Sequence, residues 1–398
     1  HPRRRPDICA LAPECLWPVL RGCVWDFRDP KQPKPLEYGQ PPRTHLNVEF
    51  YKREMADHPD QELLSHMVHG IRYQAFTQPL DRQFVLIPHL LSIGKAFDAV
   101  QRELRRLSKP DRGKIELYNR TPFFPIRCSA QGTTPRKYEP GRDRRTSDCS
   151  APHNECFDSE KRPVWSLNAQ SMRPRVVDGV EHPVPKEHKP TLRSLMRDLS
   201  VLLHLGWLSQ DLVFLFADDF ADYFNQLDLA EEELWKSVTL TLAMPGDPGY
   251  DPSRPSLIYA SERSLGFGST RSSNYAQRHS NLLVEVASRR ALTGDRQIRM
   301  RSRNAHVHRW MERRRALSKR TGRVEDRGFT MWCYTDDQIA GVVGAEATLH
   351  LLQVWTELVN EAGLWMAIPK KRQVGTWAVW LGVLIFSVMG VAVVTLDK

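Results

Sequence analysis

One nine-residue stretch, CYTDDQIAG at 333–341, constrains this chain more than any other. Two adjacent aspartates, Asp336 and Asp337, interrupt an apolar run. Phe329, Met331, Trp332 and Tyr334 precede them, and Ile339, Val342 and Val343 follow. Side chains alternate faces along a strand, so neighbouring aspartates aim at one spot only across a tight turn. Two carboxylates at one spot repel, and one takes up a proton unless a cation lies there. The stretch therefore reads either as a hairpin tip that holds a metal ion or as a plain polar turn, where Asp is common.

The 398 residues suffice for two or three domains. A formal net charge of +10 suits a polyanionic partner. Seven irregularly spaced cysteines argue against a secreted disulfide framework and for a reducing, intracellular compartment, cytoplasm or nucleus. Cys9, Cys15 and Cys23 lack a zinc spacing. The chain starts at His1 rather than Met, which reads as a piece of a longer polyprotein. Residues 374–395 carry no charge and are long enough for a single transmembrane helix. Their Val, Trp and Thr content, with glycines at 375, 382 and 390, reads equally as a buried β-hairpin.

Residues 1–58 are Pro-rich and Arg-rich with weak periodicity, a composition expected to order poorly. Helical spacing marks FDAVQRELRRL (97–107), TLRSLMRDLSVLLHLGWL (191–208), AEEELWKS (230–237), NYAQRHSNLLVEVASRR (274–290) and 346–362. IELYN (115–119), FFPIRC (123–128), RRTSDCS (144–150) and DLVFLF (211–216) read as strands. A basic insert spans about 289–328 and reads either as a solvated charged helix or as a template-binding element. Strands and helices mix without strict alternation, which places the fold in the α+β class.

In FLFADDFADYFNQLDL (214–229) an apolar strand runs straight into acid, so Asp218 or Asp219 can face a ligand or cap a helix. Here a family resemblance enters. DFADYFNQL (219–227) resembles motif A of reverse transcriptases, in a register that selects Asp219 over Asp218 and puts Phe224 at the steric-gate position. LGFGSTRSSNYAQR (265–278) resembles motif B, with Gly266 in place of the usual Pro, then Phe267, Gly268 and the helical Gln277. CYTDD (333–337) resembles motif C, GLWMAIPKK (363–371) motif D, and WLGV (380–383) motif E. TPRKYEPGRDRRTSDCSAP (134–152) resembles the fingers hairpin, with Lys137 and Arg144 on its pattern. RPRVVDG (173–179) is a competing match that misses the spacing by one residue. The order is the family's and covers about residues 60–398, closest to LTR-type and tyrosine-recombinase-type retroelements.

The resemblance implies a right-hand polymerase fold, fingers and palm, with an antiparallel palm sheet backed by helices. It assigns 59–210 to fingers and connecting region and 211–398 to the palm. It implies an RNA-directed DNA polymerase from a retrotransposon polyprotein, with dNTPs and a primed RNA or DNA template as partners. Asp219, Asp336 and Asp337 would hold two Mg²⁺ ions, with Mn²⁺ as the substitute. Lys137 and Arg144 would grip the triphosphate, and Phe224 would sit under the sugar. Gly266, Phe267 and Gly268 would approach the base pair, with Gln277 bracing that loop. Lys370 or Lys371 would protonate the leaving pyrophosphate. Motif E is a hairpin, so the resemblance favours a hairpin over a membrane span at 374–395. An RNA-dependent RNA polymerase, or a decayed copy that binds nucleic acid without catalysis, is the alternative.

Overall fold

A computed structural model describes residues 44–73, 84–87, 89–90, 92–123, 126–135, 143–151, 156–157, 163–164, 166–171, 175–177, 180–182, 184–368, 372–388 and 391–394. The chain divides into two compact units, each built from separated segments. The first comprises His1–Thr44, Leu64–Pro185 and Phe224–Ser273, and the second His45–Leu63, Lys186–Tyr223 and Asn274–Lys398. The units thus interleave along the chain.

The second unit holds helix α1 (Val48–Glu54), helix α2 (Leu192–Ser209), strand β1 (Val213–Asp219) and helix α3 (Thr270–Met300), whose first turn belongs to the first unit. Helix α4 (Ala305–Thr321), strands β2 (Phe329–Tyr334) and β3 (Asp337–Val343) and helix α5 (Ala345–Glu361) follow. Four short strands close it: β4 (Gln373–Gly375), β5 (Trp377–Trp380), β6 (Val383–Phe386) and β7 (Val391–Val394).

Capping sets the helix limits. The Thr191 hydroxyl accepts from Ser194 N at 3.1 Å to open α2, and Gln210 in the left-handed region (φ 59°) ends it. Leu195, Leu199 and Leu202 repeat at helical spacing, so one face of α2 is apolar and buries itself. It shares a core with Leu215 and Ala217 of β1, Ile339 of β3, Trp310 and Met311 of α4, and Trp380 and Ile385. Each fully buried leucine there contributes about 1.5–3 kcal/mol. The sheet has strand order β2–β3–β1–β4, antiparallel throughout. Strands β5, β6 and β7 form a separate antiparallel meander.

The first unit contains a five-stranded sheet in the order Phe84–Leu86, Ile126–Cys128, Val238–Leu242, Leu257–Glu262, Ile115–Tyr118. A hairpin pairs Ala130–Pro135 with Asp143–Asp148.

Three expectations need correction. Within 1–58, residues 48–54 form α1, because Phe50 and Tyr51 are fully buried and outweigh the polar composition around them. AEEELWKS forms a six-residue 3₁₀ helix, Glu231–Lys236, and not an α-helix. Its buried Glu233 is held by Lys236 at 2.7 Å and its Glu232 by Arg72 at 2.6 Å. Among the described residues of FFPIRC, Ile126–Cys128 is strand and Phe123 is not. The apolar 374–395 stretch is short strands joined by turns where described, and no described helix is long and apolar enough to cross a membrane.

Candidate active site

Strand β1 leaves the core through Leu215, Phe216 and Ala217, all buried, and reaches two consecutive acids. Alternation sends them to opposite faces. Asp218 is 3 % exposed. It accepts from Arg372 Nε at 2.8 Å and Nη2 at 2.7 Å, and from Trp355 Nε1 of α5 at 3.2 Å. That bidentate pair matches its charge inside the protein. Asp219 faces the other way and is the direct cross-strand partner of Asp337. Side chains directly opposed in an antiparallel pair lie about 5 Å apart at Cβ, and like charges so placed cost stability.

Asp336 sits beside them in the turn between β2 and β3. Tyr334 and Asp337 are the closing pair, which leaves a two-residue connection. Thr335 takes a left-handed φ of 57°, the backbone that such tight hairpins require. Helix α3 fastens this turn. Gln277 accepts from Thr335 N at 2.9 Å and donates to Cys333 O at 2.9 Å, and the Ser280 hydroxyl donates to Thr335 O. Behind it, the Tyr223 hydroxyl meets Ser280 Oγ and His279 Nδ1 at 2.7 Å each, and Tyr51 meets His279 Nε2 at 2.8 Å. Burial pushes the His279 pKa down to about 3, so the ring is neutral.

The backbone around the acids is also tied down. Ala367 N donates to Asp219 O at 2.8 Å, Phe220 N to Asp336 O at 3.3 Å, and Trp380 Nε1 to Asp337 O at 3.0 Å. Burial pushes the Cys333 thiol well above its ordinary pKa, and the Asp336, Asp337 and Asp219 carboxylates push it the same way.

Among the described residues, no three His, Cys, Asp or Glu side chains are grouped as a ready-made metal cage. Mg²⁺ does not require one. It is held by one or two carboxylates, with water and substrate phosphate completing the octahedron. Asp219 opposite Asp337, with Asp336 in the adjoining turn, presents carboxylate oxygens, the donor type that Mg²⁺ takes.

In the first unit, the Phe224 ring packs edge-on against Phe267, centroids 4.8 Å apart at 71°. Gly268 lies at φ +111°, and a Cβ there would fall 1.8 Å from Ser147 O. Only glycine allows that approach. The loop is further held by Ser147 N donating to Phe267 O at 2.8 Å and Asn168 Nδ2 donating to Gly268 O at 3.0 Å. A Cβ on Gly266 would meet Glu262 Oε2 at 2.9 Å. Arg144 is exposed on the same hairpin strand as Ser147.

The structure thus brings Asp219, Asp336 and Asp337 together in one unit, and Phe224, Phe267, Gly268 and the Arg144 hairpin together in the other. Gln277 departs from expectation. It braces the aspartate turn and not the glycine loop, because its side chain points to Cys333 and Thr335. Lys137, Lys370 and Lys371 lie outside the described residues. Sequence reasoning missed Arg372, Trp355, Ser280 and Asn168, none of which stands in a motif.

No protein-family model and no curated protein matches this chain. Two of the solved structures that resemble it are viral enzymes. One is a foamy viral protease–reverse transcriptase in complex with double-stranded DNA, with 13% identity and a TM-score of 0.44, covering 90% of this chain and 48% of that one. The other is the native prototype foamy virus protease–reverse transcriptase, with 13% identity and a TM-score of 0.38, covering 79% and 29%. The chain therefore spans about half the length of the first and less of the second. The functional reading rests on the chain's own residues.

Proposed function

We propose that the chain is the fingers-and-palm portion of a retroelement reverse transcriptase, extending a primer 3′-OH with dNTPs on an RNA or DNA template. The observation that carries this is the pairing of Asp219 directly opposite Asp337 at the strand end, with Asp336 in the two-residue turn beside them. A right-hand arrangement, an intracellular setting and a retrotransposon polyprotein context belong to the same reading.

Two Mg²⁺ ions, replaceable by Mn²⁺, would supply Lewis-acid activation of the hydroxyl and charge neutralisation at the triphosphate. Asp219 and Asp336 would hold them, with Asp337 supporting. The chain's own contribution is rigid placement: the Gln277 and Ser280 bonds hold the turn before substrate arrives, so little reorganisation is left for the reaction. Asp218, already matched by Arg372, is excluded from that role. Phe224, backed by the Phe267 ring, would exclude a 2′-OH by bulk. Arg144 and Lys137 would contact the β- and γ-phosphates, and Lys370 or Lys371 would donate the proton to pyrophosphate.

The test is primer extension on an RNA template with Mg²⁺, comparing dGTP with rGTP. Extension that prefers dGTP is expected. A preference for rGTP would transfer the chain to the RNA polymerases, and no extension with either, from folded protein, would favour the non-catalytic copy.

A further inference from the structure

The cations of residues 289–323 fall into two classes. Many are consumed internally. Arg289 and Arg290 pair with Glu54, Arg296 and Arg315 with Asp326, and Arg314 with Glu325. By contrast, Arg309, Arg313 and Arg320 of α4 are exposed, and among the described residues no carboxylate pairs with them. At about 100° per residue they fall within roughly 40° of one another around the helix, and they span about 16 Å along it. They form one cationic stripe.

The stripe leads into a cleft. Arg309 Nη2 approaches His306 Nδ1 at 3.3 Å, and His306 lines a cavity of about 570 Å³ with Trp207, Leu212 and Val388. Trp207 is 75 % exposed, unusual for so large an apolar ring. Gln210 and Asp211 also line the cavity, an amide and a carboxylate of the kind that addresses base edges rather than phosphates, whereas Asn304 is occupied as the cap of α4, accepting from His306 N at 2.9 Å and donating to Leu208 O at 2.6 Å. Val213 also lines the cleft, and Asp219 ends the same strand about 20 Å away, so this is a separate site.

A cationic track joined to an exposed aromatic platform is the recognition logic of single-stranded nucleic acid, whose bases are free to stack. A duplex keeps its bases inside. An anionic bilayer is a poorer fit, because Val307, Trp310 and Met311, the apolar face of α4, are already buried in the protein core and cannot insert. We propose that the outer face of α4 and the Trp207 cleft bind a single-stranded nucleic acid, with Arg309, Arg313 and Arg320 on successive phosphates and the Trp207 indole stacked on a base.

The test uses the full chain and a labelled, unprimed 20-nucleotide RNA, followed by fluorescence anisotropy across a KCl series. Each phosphate contact contributes about −0.7 to the slope of log K against log salt on single strands. The variant Arg309→Ala/Arg313→Ala/Arg320→Ala should therefore flatten the slope by about two and weaken binding at moderate salt. Trp207→Ala should weaken binding roughly 5- to 100-fold with the slope unchanged, and should have no effect on a blunt duplex of the same sequence. All four residues are exposed, and matching thermal melts show that the variants fold. Parental affinity and slope in the triple variant overturn the proposal. So does a Trp207→Ala variant that binds RNA normally. Tight binding of phosphatidylserine vesicles, lost in the triple variant while RNA binding is kept, would reassign the face to membranes.

Discussion

Strand β1 carries opposite chemistries at its two ends. Near Val213 it meets an aromatic cleft continued by arginines that no described carboxylate pairs, and at Asp219 it meets the carboxylates of the β2–β3 turn. The cleft end is open and assembled from exposed side chains. The carboxylate end is tied by hydrogen bonds from α3, from Ala367 and from Trp380. The difference teaches that order follows the task. Charge that must sit within a fraction of an ångström of a reacting atom needs a rigid frame. Charge that tracks a flexible polyanion does not, and exposed side chains suffice.

The largest expected effect tests whether the two ends act separately. Asp336→Asn should lower primer extension about a thousandfold or more, as loss of a metal ligand costs several kcal/mol. Binding of unprimed RNA should stay within a few-fold. Combined with the three-arginine variant, the losses should add in free energy, because sites this far apart rarely couple. A double variant whose RNA binding falls well beyond the sum would mean that the two ends are one site.

Arg372→Ala probes the carboxylate end on its hidden face. It would leave Asp218 buried without its cation, which costs about 3–5 kcal/mol. Thermal unfolding should shift accordingly. A variant within 1 kcal/mol of the parent would show that Asp218 is not held by this pair.

Sugar selection comes next. Phe224→Val removes the ring that Phe267 supports, and the ratio of kcat/KM for dGTP over rGTP should fall by about a hundredfold. An unchanged ratio would displace Phe224 from that role.

The smallest effect concerns pH. His279 stays neutral in the fold down to about 3, whereas the unfolded ring takes a proton near 6.5. Below 6.5 the unfolded state binds more protons, so this contribution to stability is complete above that pH and is lost progressively toward 3. Its slope is at most about 1.4 kcal/mol per pH unit. The melting temperature of His279→Gln should fall less steeply between pH 7 and pH 5 than that of the parent. Parallel curves would remove His279 from the account.

The elements that were legible in the sequence are those whose periodicity is strong and local. The Tyr334–Asp337 hairpin, the apolar stripe of α2 and the strands at the apolar end were readable in this way. The 3₁₀ helix at Glu231–Lys236 was not, because a pattern of three acids and a tryptophan does not say that Glu232 and Glu233 will be buried against Arg72 and Lys236. Gln277 was assigned to the wrong neighbour for a related reason. Helical spacing tells which face a side chain occupies, not which loop crosses it.

What the sequence by itself determined is local: a tight turn presenting paired aspartates, an apolar strand ending in acid, a glycine loop, and an excess of basic charge. Each follows from backbone sterics and the alternation of polar and apolar residues. Tertiary structure decided what those pieces do. It set Asp219 against Asp337 through strand register, and it matched Asp218 to an arginine 154 residues away. It also sorted the arginines of the basic insert into those paired internally with Glu54, Asp326 and Glu325 and those left on the outer face of α4. The reason is physical: whether a charge is neutralised depends on what lies within a few ångströms in space, and those neighbours come from distant parts of the chain.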